Sequence, residues 1–455
     1  MHDQLQPASL AIRLAPLALA ALLVRPAEAQ NTLLILADDF GVDQLGSYGE
    51  GANPPPTIWL DLVASYGVRF TNAYANPSCS PTRAQIQTGR HGFRTGIGFI
   101  TQGGGPELPL SEITIPEALA QFAPSPVASA VLGKWHLTNG QAPNNGPIHP
   151  LLQGYDHHAG SMASFDSGNQ NYYAHTKFVD GIATFNTNYA TTTTVDDALA
   201  WIATAPEPWF CMVSFNAPHS PFDYPPPHLH SQFVPPGSTF EELQLSQYKA
   251  MIEAMDREIG RLITNLSLPQ LLTTTFVFAG DNGTPEVGVE SPFDPEHAKL
   301  TLHEGGCNVP LIVAGAFVPE RGKTCEALVE MPDLFPTILR LSGVDPVAFS
   351  QTTGTKLDGH DLSPFLLDVN APAVRNIAFS ELFQPNGPNP LISNYGVRDE
   401  RYRLIRNGII NSYELYDLWL DPFEQVDLLE PPNPSSEALG AFQSLRLQLM
   451  ALLSS

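Results

Sequence analysis

Short, continuously apolar segments recur along the chain and are separated by longer segments of mixed polarity. Five of them stand out, at 32–37, 127–132, 209–215, 274–279 and 309–314. Each is rich in residues such as Val, Ile, Leu and Phe, as expected of strands that are buried on both faces of a sheet. Helical patterns lie between them, the clearest within 239–267, where apolar residues return at helical spacing. This alternation predicts an α/β fold with a mostly parallel central sheet that is flanked by helices.

The pattern changes near residue 355. Shorter segments such as IAFSEL at 377–382 and SYELYDLWLDP at 412–422 predict antiparallel strands, and an apolar helix follows within 438–453. We therefore expect a main domain over 30–354 and a smaller α+β subdomain with an antiparallel sheet over 355–455. A chain of 455 residues is long enough to bury a core in each.

The first 29 residues form a segment of their own. Arg13 precedes the apolar run LAPLALAALLV, and AEA closes the segment at Ala29. This three-part pattern is typical of a secretory signal peptide, and the run is too short to span a bilayer. The alternative is a buried N-terminal helix. We expect an exported protein, periplasmic or secreted, with no membrane partner.

Charge and cysteine content narrow the classes of partner. The chain has 46 acidic and 22 basic side chains, a formal charge of −24, and no basic run that could form a nucleic-acid face. A small anion in a locally positive pocket is a better candidate ligand than a polyanion. The cysteines at 79, 211, 307 and 325 form neither a disulfide framework nor a zinc motif. Cys211 lies in an apolar strand, whereas Cys307 and Cys325 could pair in an oxidising compartment.

Polar side chains gather at one position relative to the predicted strands. Asp38 and Asp39 follow the first strand, Lys134 and His136 the second, His219 the third, and Asp281 and Asn282 the fourth, while Lys299 precedes the fifth. Taken singly, each is typical of a helix cap, a turn or an exposed side chain. Ligands of open α/β sheets bind beyond the carboxyl ends of the strands. The repetition at that edge therefore predicts a functional site.

The residue types at this edge indicate a hard cation and a tetrahedral anion. Carboxylates and an amide oxygen are donors for Ca²⁺ or Mg²⁺ rather than Zn²⁺. Lysines, histidines and an arginine around such a cation would hold sulfate or phosphate. Cys79 precedes Pro81, a residue that favours the first turn of a helix, where the positive end of the helix stabilises an anion or a nucleophile. Arg83, one helical turn further on, can lie beside it.

These residues fall within a set of motifs that resembles a known family. CSPTR followed by TGR resembles the sulfatase signature C-x-P-[ST]-R with its trailing T-G-R. The family's other motifs follow in the same order from about residue 31 to 430: ILADDFGVDQLGSYG, GKWHL, NAPHSPF, GDNG, K-x-x-x-x-E-G-G-x-x-V-P and ELYDLWLDPFEQVDL. The chain is thus similar to type I sulfatases of the alkaline phosphatase superfamily.

The resemblance implies a role for each matched residue. Cys79 would be converted to formylglycine by a formylglycine-generating enzyme, and its hydrated aldehyde would be the nucleophile. Asp38, Asp39, Asp281 and Asn282 would bind Ca²⁺, or alternatively Mg²⁺, together with that residue. Arg83 would stabilise the hydrate, and Lys134 and Lys299 would hold the sulfate oxygens. His219 would assist the leaving oxygen, and His136 would deprotonate the second hydroxyl to expel sulfate. The expected substrate is a small aryl or sugar sulfate, and the oligomeric state is not predicted.

The sequence also departs from the family pattern. Asn308 stands where the family usually has Arg after the E-G-G, Thr82 where many members have Ser, and Asp427 where Asn is common. Two alternatives remain beside a sulfuric ester hydrolase: a phosphodiester or phosphonate monoester hydrolase of the same superfamily, and a binding protein that kept the fold without the chemistry.

Overall fold

A ten-stranded sheet forms the centre of the larger part of the protein, in a computed structural model that describes residues 31–101, 105–138, 145–165, 170–430 and 434–455. The strands are β1 (Asn31–Ala37), β2 (Gly67–Phe70), β3 (Ala73–Tyr74), β4 (Ala128–Gly133), β5 (His157–Gly160), β6 (His175–Val179), β7 (Ile182–Asn186), β8 (Trp209–Ser214), β9 (Thr274–Gly280), β10 (Leu311–Gly315), β11 (Lys323–Cys325), β12 (Val329–Glu330), β13 (Ala378–Gln384), β14 (Ile392–Arg398), β15 (Tyr402–Asn407) and β16 (Ser412–Asp417). The strand order of the large sheet is β11-β2-β10-β9-β1-β8-β4-β5-β6-β7.

Helices cover this sheet on both sides. The helices of the described residues are α1 (Ile58–Ser65), α2 (Cys79–Thr88), α3 (Gly92–Thr95), α4 (Ile115–Phe122), α5 (His149–Leu152), α6 (Ala190–Ile202), α7 (Phe240–Asn265), α8 (Leu268–Thr273), α9 (Glu304–Cys307), α10 (Leu334–Leu341), α11 (Pro346–Thr353), α12 (Ser363–Leu367) and α13 (Ser436–Ser454), the last of which packs on the C-terminal sheet. One apolar core joins the sheet to α1, α6 and α7, and a second joins its other face to α2, α4 and α10. Both faces are thus buried, which explains why the strand sequences are apolar throughout.

The long helix α7 shows how local sequence sets this packing. Thr239 and Glu242 form a capping box at its start, which satisfies backbone N–H groups of the first turn. Its apolar stripe is buried, as the helical spacing predicts. Gly260 lies against the indole of Trp59, and a Cβ there would be 2.2 Å from the ring. Glycine is required at this point of the helix because α1 packs so closely.

The direction of the strands decides where the polar residues meet. β9, β1, β8, β4 and β5 run parallel, so their carboxyl ends share one edge. The fifth predicted strand, β10, pairs antiparallel with β9, so its beginning lies at that edge. Lys299, which precedes β10 in the chain, therefore reaches the edge from the amino end of a strand. The expectation of a mostly parallel sheet is confirmed, and the two strands that run against the parallel direction are β10 and β6.

A second, antiparallel sheet lies near the C-terminus, as the sequence predicts. β13, β14, β15 and β16 form it in that order. One face of this sheet packs against α13 in a small core. On the other face, Ile405 of β15 clusters with Leu302 and Cys307, which flank the E-G-G segment. The division at residues 354 and 355 stays a prediction. Residues 1–29, the predicted signal peptide, lie outside the described residues. No helix within the described ranges is long and apolar enough to cross a membrane.

Candidate active site

The edge formed by these strand ends collects the predicted residues in one buried cluster. Ligand atoms of Asp38, Asp39, Cys79 and His219 all lie within 4.8 Å of one another. Asp281 and Asn282 follow β9 directly and join this group through hydrogen bonds to Asp39: the Asp39 N–H donates to Asp281 Oδ1 at 3.2 Å, and Asn282 Nδ2 donates to Asp39 Oδ1 at 2.9 Å.

The predicted cations contact these carboxylates. Lys299 Nζ lies 2.6 Å from Asp39 Oδ1, and Lys134 Nζ forms an ion pair with Asp38 Oδ2. Lys134 Nζ also lies 3.6 Å from Cys79 Sγ. Because both lysines reach the thiol side of the cluster, positive charge surrounds the place where an anion attached to residue 79 would sit.

Cys79 begins α2, and Ser78 is the extended residue before it. The turn is held by Thr82, whose hydroxyl accepts a hydrogen bond from the Asn76 N–H at 2.9 Å. Thr82, which stands where many family members have Ser, therefore still supplies the hydroxyl that accepts this hydrogen bond. The Cys79 side chain is buried at the helix N-terminus, where the helix dipole is positive.

Arg83 lies one turn along α2 and faces the same cluster, as its spacing predicts. Its guanidinium contacts Asp281 Oδ2 through Nε at 2.9 Å and through Nη2 at 2.8 Å. It also donates to the Lys134 carbonyl at 2.9 Å and to the Ser214 hydroxyl at 2.6 Å. A fully buried guanidinium with these partners is fixed in position, so it is suited to orient a group rather than to move with one.

His219 and His136 differ in their contacts. His219 Nε2 lies 3.8 Å from Asp39 Oδ2, and its Nδ1 lies 2.7 Å from the Ser220 carbonyl oxygen. His136 has a left-handed backbone with φ of 56° and is buried, and its Nδ1 has no hydrogen-bond partner among the described residues. Burial lowers the pKa of both imidazoles, that of His136 well below its usual value. Both rings are therefore neutral at neutral pH.

The buried charges shift the pKa of the acidic groups in opposite directions. Burial, opposed by Lys134, raises the pKa of the Cys79 thiol to about 12. Burial and the neighbouring Asp38 raise the pKa of Asp281 to about 7. Burial would raise the pKa of Asp38 too, but Lys134 and other nearby cations outweigh it and hold that pKa well below the usual range. The encoded thiol carries almost no thiolate at neutral pH, so Cys79 as encoded is a poor nucleophile.

The donor set fits a hard divalent cation. Asp38 Oδ1 and Asn282 Oδ1 are both buried and have no hydrogen-bond partner among the described residues. Buried oxygen atoms of this kind normally have a partner, and a cation supplies one. Three carboxylates and an amide oxygen match the preference of Ca²⁺ or Mg²⁺ for oxygen ligands. Asp38, Asp39, Asp281 and Asn282 are therefore suited to hold such an ion.

Two serines belong to this cluster that the sequence reasoning did not single out. Ser214 accepts from Arg83, and Ser164 lies 2.7 Å from Lys134 Nζ and 3.5 Å from His219 Nε2. Ser214 is the last residue of β8, so the strand-end rule could have found it. Ser164 lies in the long polar segment after β4, where no local pattern separates it from its neighbours.

Asn308, at the position where the family usually has Arg, contacts a buried carboxylate. Asn308 Nδ2 donates to Glu304 Oε2 at 3.2 Å. Glu304 also accepts from the Tyr74 hydroxyl at 2.9 Å and from Arg403 Nη1 at 2.8 Å, and Arg398 Nη1 lies 3.6 Å away. The guanidinium groups that balance this buried carboxylate thus come from the C-terminal sheet.

The four cysteines are all free and buried. The pairing of Cys307 with Cys325 that the sequence left open is therefore absent from the described residues.

Comparison with known proteins identifies the family. The sequence matches the Sulfatase family over residues 30–344, and a second family described as "N-sulphoglucosamine sulphohydrolase, C-terminal" over residues 296–450. The first match covers more than half of the chain. The chain therefore belongs to the sulfatase family, as the motifs predict, and is a sulfuric ester hydrolase.

Individual relatives agree with this assignment. The chain is 29% identical to arylsulfatase G of Rattus norvegicus over 436 residues, which covers 82% of the chain and 75% of the relative. It is 30% identical to N-acetylgalactosamine-6-sulfatase of Homo sapiens over 373 residues, which covers 74% of the chain and 66% of the relative.

Solved structures share the fold. Ps i-CgsB in complex with k-i-k-neocarrahexaose superposes with a TM-score of 0.76 at 22% identity, covering 94% of this chain and 93% of the other. The putative sulfatase yidJ from Bacteroides fragilis superposes with a TM-score of 0.75 at 19% identity, covering 94% and 96%. At these identities the likeness shows the fold alone.

Proposed function

We propose that the chain hydrolyses a sulfate monoester of a small aryl or sugar alcohol, with hydrated formylglycine at position 79 as the nucleophile. The observation that carries this proposal is the setting of Cys79. Its side chain lies at a helix N-terminus within reach of Lys134, Asp38 and His219, yet its pKa of about 12 leaves the thiol protonated. Conversion of the thiol to an aldehyde hydrate gives this position a hydroxyl nucleophile in the same place.

Asp38, Asp39, Asp281 and Asn282 are the proposed ligands of a Ca²⁺ ion, with Mg²⁺ as the alternative. When bound, the cation polarises the sulfate and lowers the pKa of a nearby hydroxyl. Lys134 and Lys299 bind the sulfate oxygens, where their charge stabilises the negative charge of the transition state. Arg83 fixes the hydrate beside Asp281.

The reaction then has two chemical steps. One hydroxyl of the hydrate gives its proton to the Asp281 carboxylate and attacks sulfur, the bond from sulfur to the substrate oxygen breaks, and the alcohol leaves with a proton that His219 supplies. The negative charge of the sulfate ester favours the protonated form of His219 when substrate is bound. In the second step His136 removes the proton of the remaining hydroxyl, the carbonyl re-forms, and sulfate leaves. Water then hydrates the aldehyde again, so no water molecule has to attack a crowded sulfur.

Mass spectrometry of the peptide that contains Cys79 tests the mechanism directly. Protein made with a formylglycine-generating enzyme should carry formylglycine at 79 and be active, and protein made without it should carry a thiol and be inactive. The peptide that contains Cys325 is the internal control, because its thiol should be unchanged in both preparations. Active protein with an unmodified Cys79 would contradict the mechanism.

Parallel assays decide between the related activities. An aryl sulfate should be hydrolysed faster than the corresponding aryl phosphonate monoester, and the reverse order would favour a phosphonate or phosphodiester hydrolase. No turnover of either by modified protein would favour the non-catalytic alternative. The names of the relatives, an arylsulfatase and an amino-sugar sulfatase, support aryl and sugar sulfates as the first substrates to try.

The remaining parts of the proposal follow from the sequence. Residues 1–29 would direct export to the periplasm or the exterior, where Ca²⁺ is abundant. Residues 30–354 would form the catalytic sulfatase domain and 355–455 the C-terminal subdomain. The acidic balance of 46 to 22 makes a small sulfate ester a better substrate than a long sulfated polymer.

A further inference from the structure

A second cleft of about 950 Å³ lies between the main sheet and the C-terminal sheet. Thr71 and Asn72 after β2 and Glu326 after β11 form one wall. The segments 398–402 and 418–422 of the C-terminal sheet form the other. None of the proposed catalytic or metal-binding residues lines it. Its volume is in the range of pockets that take organic ligands of several rings.

An aromatic ring projects into this cleft. Trp419 is 62% exposed. Its indole N–H donates to the Glu400 carbonyl at 3.1 Å, and the Arg401 guanidinium lies 5.4 Å from the ring centroid. Arg401 is in turn held by Asp417 at 2.6 Å. These contacts hold the exposed ring in one orientation before any ligand binds. Because the ring is already ordered, stacking an apolar face on it costs little conformational entropy.

The free charge of the cleft is negative. Arg375 pairs with Glu330 at 2.5 Å, and Arg398 is engaged by Tyr74 and Glu304. By contrast, the carboxylates of Glu50, Glu326 and Glu400 pair with no lysine or arginine among the described residues, although all three line the cleft. An anionic ligand would meet these unpaired carboxylates, so the cleft disfavours sulfated groups.

Unused hydrogen-bond acceptors line the same space. The free carboxylates of Glu50, Glu326 and Glu400 offer acceptors for hydroxyl donors. A ligand with many hydroxyl groups, one apolar face and no negative charge meets these conditions.

We propose that this cleft binds an uncharged stretch of oligosaccharide, with a pyranose ring on Trp419 and its hydroxyl groups on the carboxylate acceptors. The proposal does not depend on the mechanism at Cys79.

The test uses the full purified chain and four neutral hexasaccharides: cellohexaose, xylohexaose, mannohexaose and agarohexaose. Binding is followed by tryptophan fluorescence and by saturation-transfer NMR. We expect at least one of them to bind with a Kd of about 0.1–1 mM, and Trp419→Ala to weaken that binding at least tenfold. Ala373→Trp, which adds bulk at an exposed residue of the cleft, should block it independently.

The matched control is Phe185→Ala. Phe185 is 72% exposed and lies on β7, at the opposite end of the sheet from β2 and β11, so its loss should leave binding unchanged. Hydrolysis of a small aryl sulfate should be unaffected by Trp419→Ala. The proposal is overturned if no hexasaccharide binds by about 10 mM, or if binding survives both Trp419→Ala and Ala373→Trp. Binding of hexalysine or of a sulfated hexasaccharide in the cleft, without binding of any neutral one, would overturn it too.

Discussion

Removing Arg403 should destabilise the protein strongly, because this side chain neutralises the buried carboxylate of Glu304 and also lies beside the buried Glu424. Arg403 on β15 is almost fully buried and donates to Glu304 Oε1 at 2.8 Å and to the Leu302 carbonyl at 2.7 Å. Its Nε also lies 3.5 Å from Glu424 Oε1. Arg403→Met keeps much of the apolar stem and removes the charge and both hydrogen bonds.

The expected loss is about 4 kcal/mol in the free energy of unfolding. Breaking one partner of a buried ion pair costs about 3–5 kcal/mol, since the other charge is left without compensation. Arg398 and the Tyr74 hydroxyl still contact Glu304, which keeps the value away from the upper limit. Burial already raises the pKa of Glu424 to about 8. The loss should therefore be larger at about pH 9 than at about pH 6, where Glu424 is protonated and needs no cation.

Equilibrium urea unfolding, followed by circular dichroism, measures this difference. Arg340→Met is the matched control, because Arg340 forms ion pairs with Asp345 and Asp361 at the surface, and such pairs contribute about 0–1 kcal/mol. The double variant Glu304→Gln with Arg403→Met should recover part of the loss. The reasoning is refuted if Arg403→Met costs no more than Arg340→Met, or if the double variant is less stable than the sum of the single changes.

Three further outcomes follow from the site and its surroundings. A Ca²⁺ chelator should abolish sulfatase activity and lower the free energy of unfolding, by about 2.7 kcal/mol for an ion at a hundred times its Kd, and added Ca²⁺ should restore both. An unchanged free energy of unfolding would speak against Asp281 and Asn282 as ligands. His219→Ala should slow hydrolysis of alkyl sulfates about 10²–10⁴-fold and hydrolysis of 4-nitrophenyl sulfate much less, because a good leaving group needs no proton. Equal losses of rate on both substrates would exclude His219 as the proton donor. Burial raises the pKa of Glu381 to about 8 from 4.5, so the folded chain binds a proton there that the unfolded chain releases, and stability falls as pH rises from about 4.5 to 8. Glu381→Gln should flatten that slope by up to about 1.4 kcal/mol per pH unit, and parallel slopes for the two proteins in urea unfolding would show that Glu381 titrates normally.

Much of the site could be predicted from the sequence because each residue is tied to a strand end. Asp38 and Asp281 directly follow β1 and β9, and parallel neighbours bring their ends together whatever the rest of the chain does. Arg83 was predictable for a similar reason, since helical periodicity alone places it beside Cys79. These inferences use only geometry that is local or imposed by a parallel sheet.

Other features depend on contacts between segments that are far apart in sequence. The antiparallel direction of β10 could not be derived from its apolar run, because a buried strand has the same composition in either direction. The hairpin of β6 and β7 lies in a polar segment with an exposed outer strand, so it carries no buried apolar pattern. The partnership of Arg403 with Glu304 joins residues that are 99 positions apart, and nothing in either local sequence specifies it.

Because the chain is synthesised from its N-terminus, Cys79 is made well before the segment that helps to bury it. The loop before Cys79 is closed by β13, where the Ser380 hydroxyl donates to the Ala75 carbonyl and the Glu381 N–H donates to Asn76 Oδ1. Asn76 and Glu381 are 305 residues apart. At about 5–20 residues per second, synthesis of that interval takes about 15–60 s. During this interval a modifying enzyme can reach Cys79, because β13, which closes the loop before Cys79, has not yet been synthesised. Slower translation would lengthen the interval.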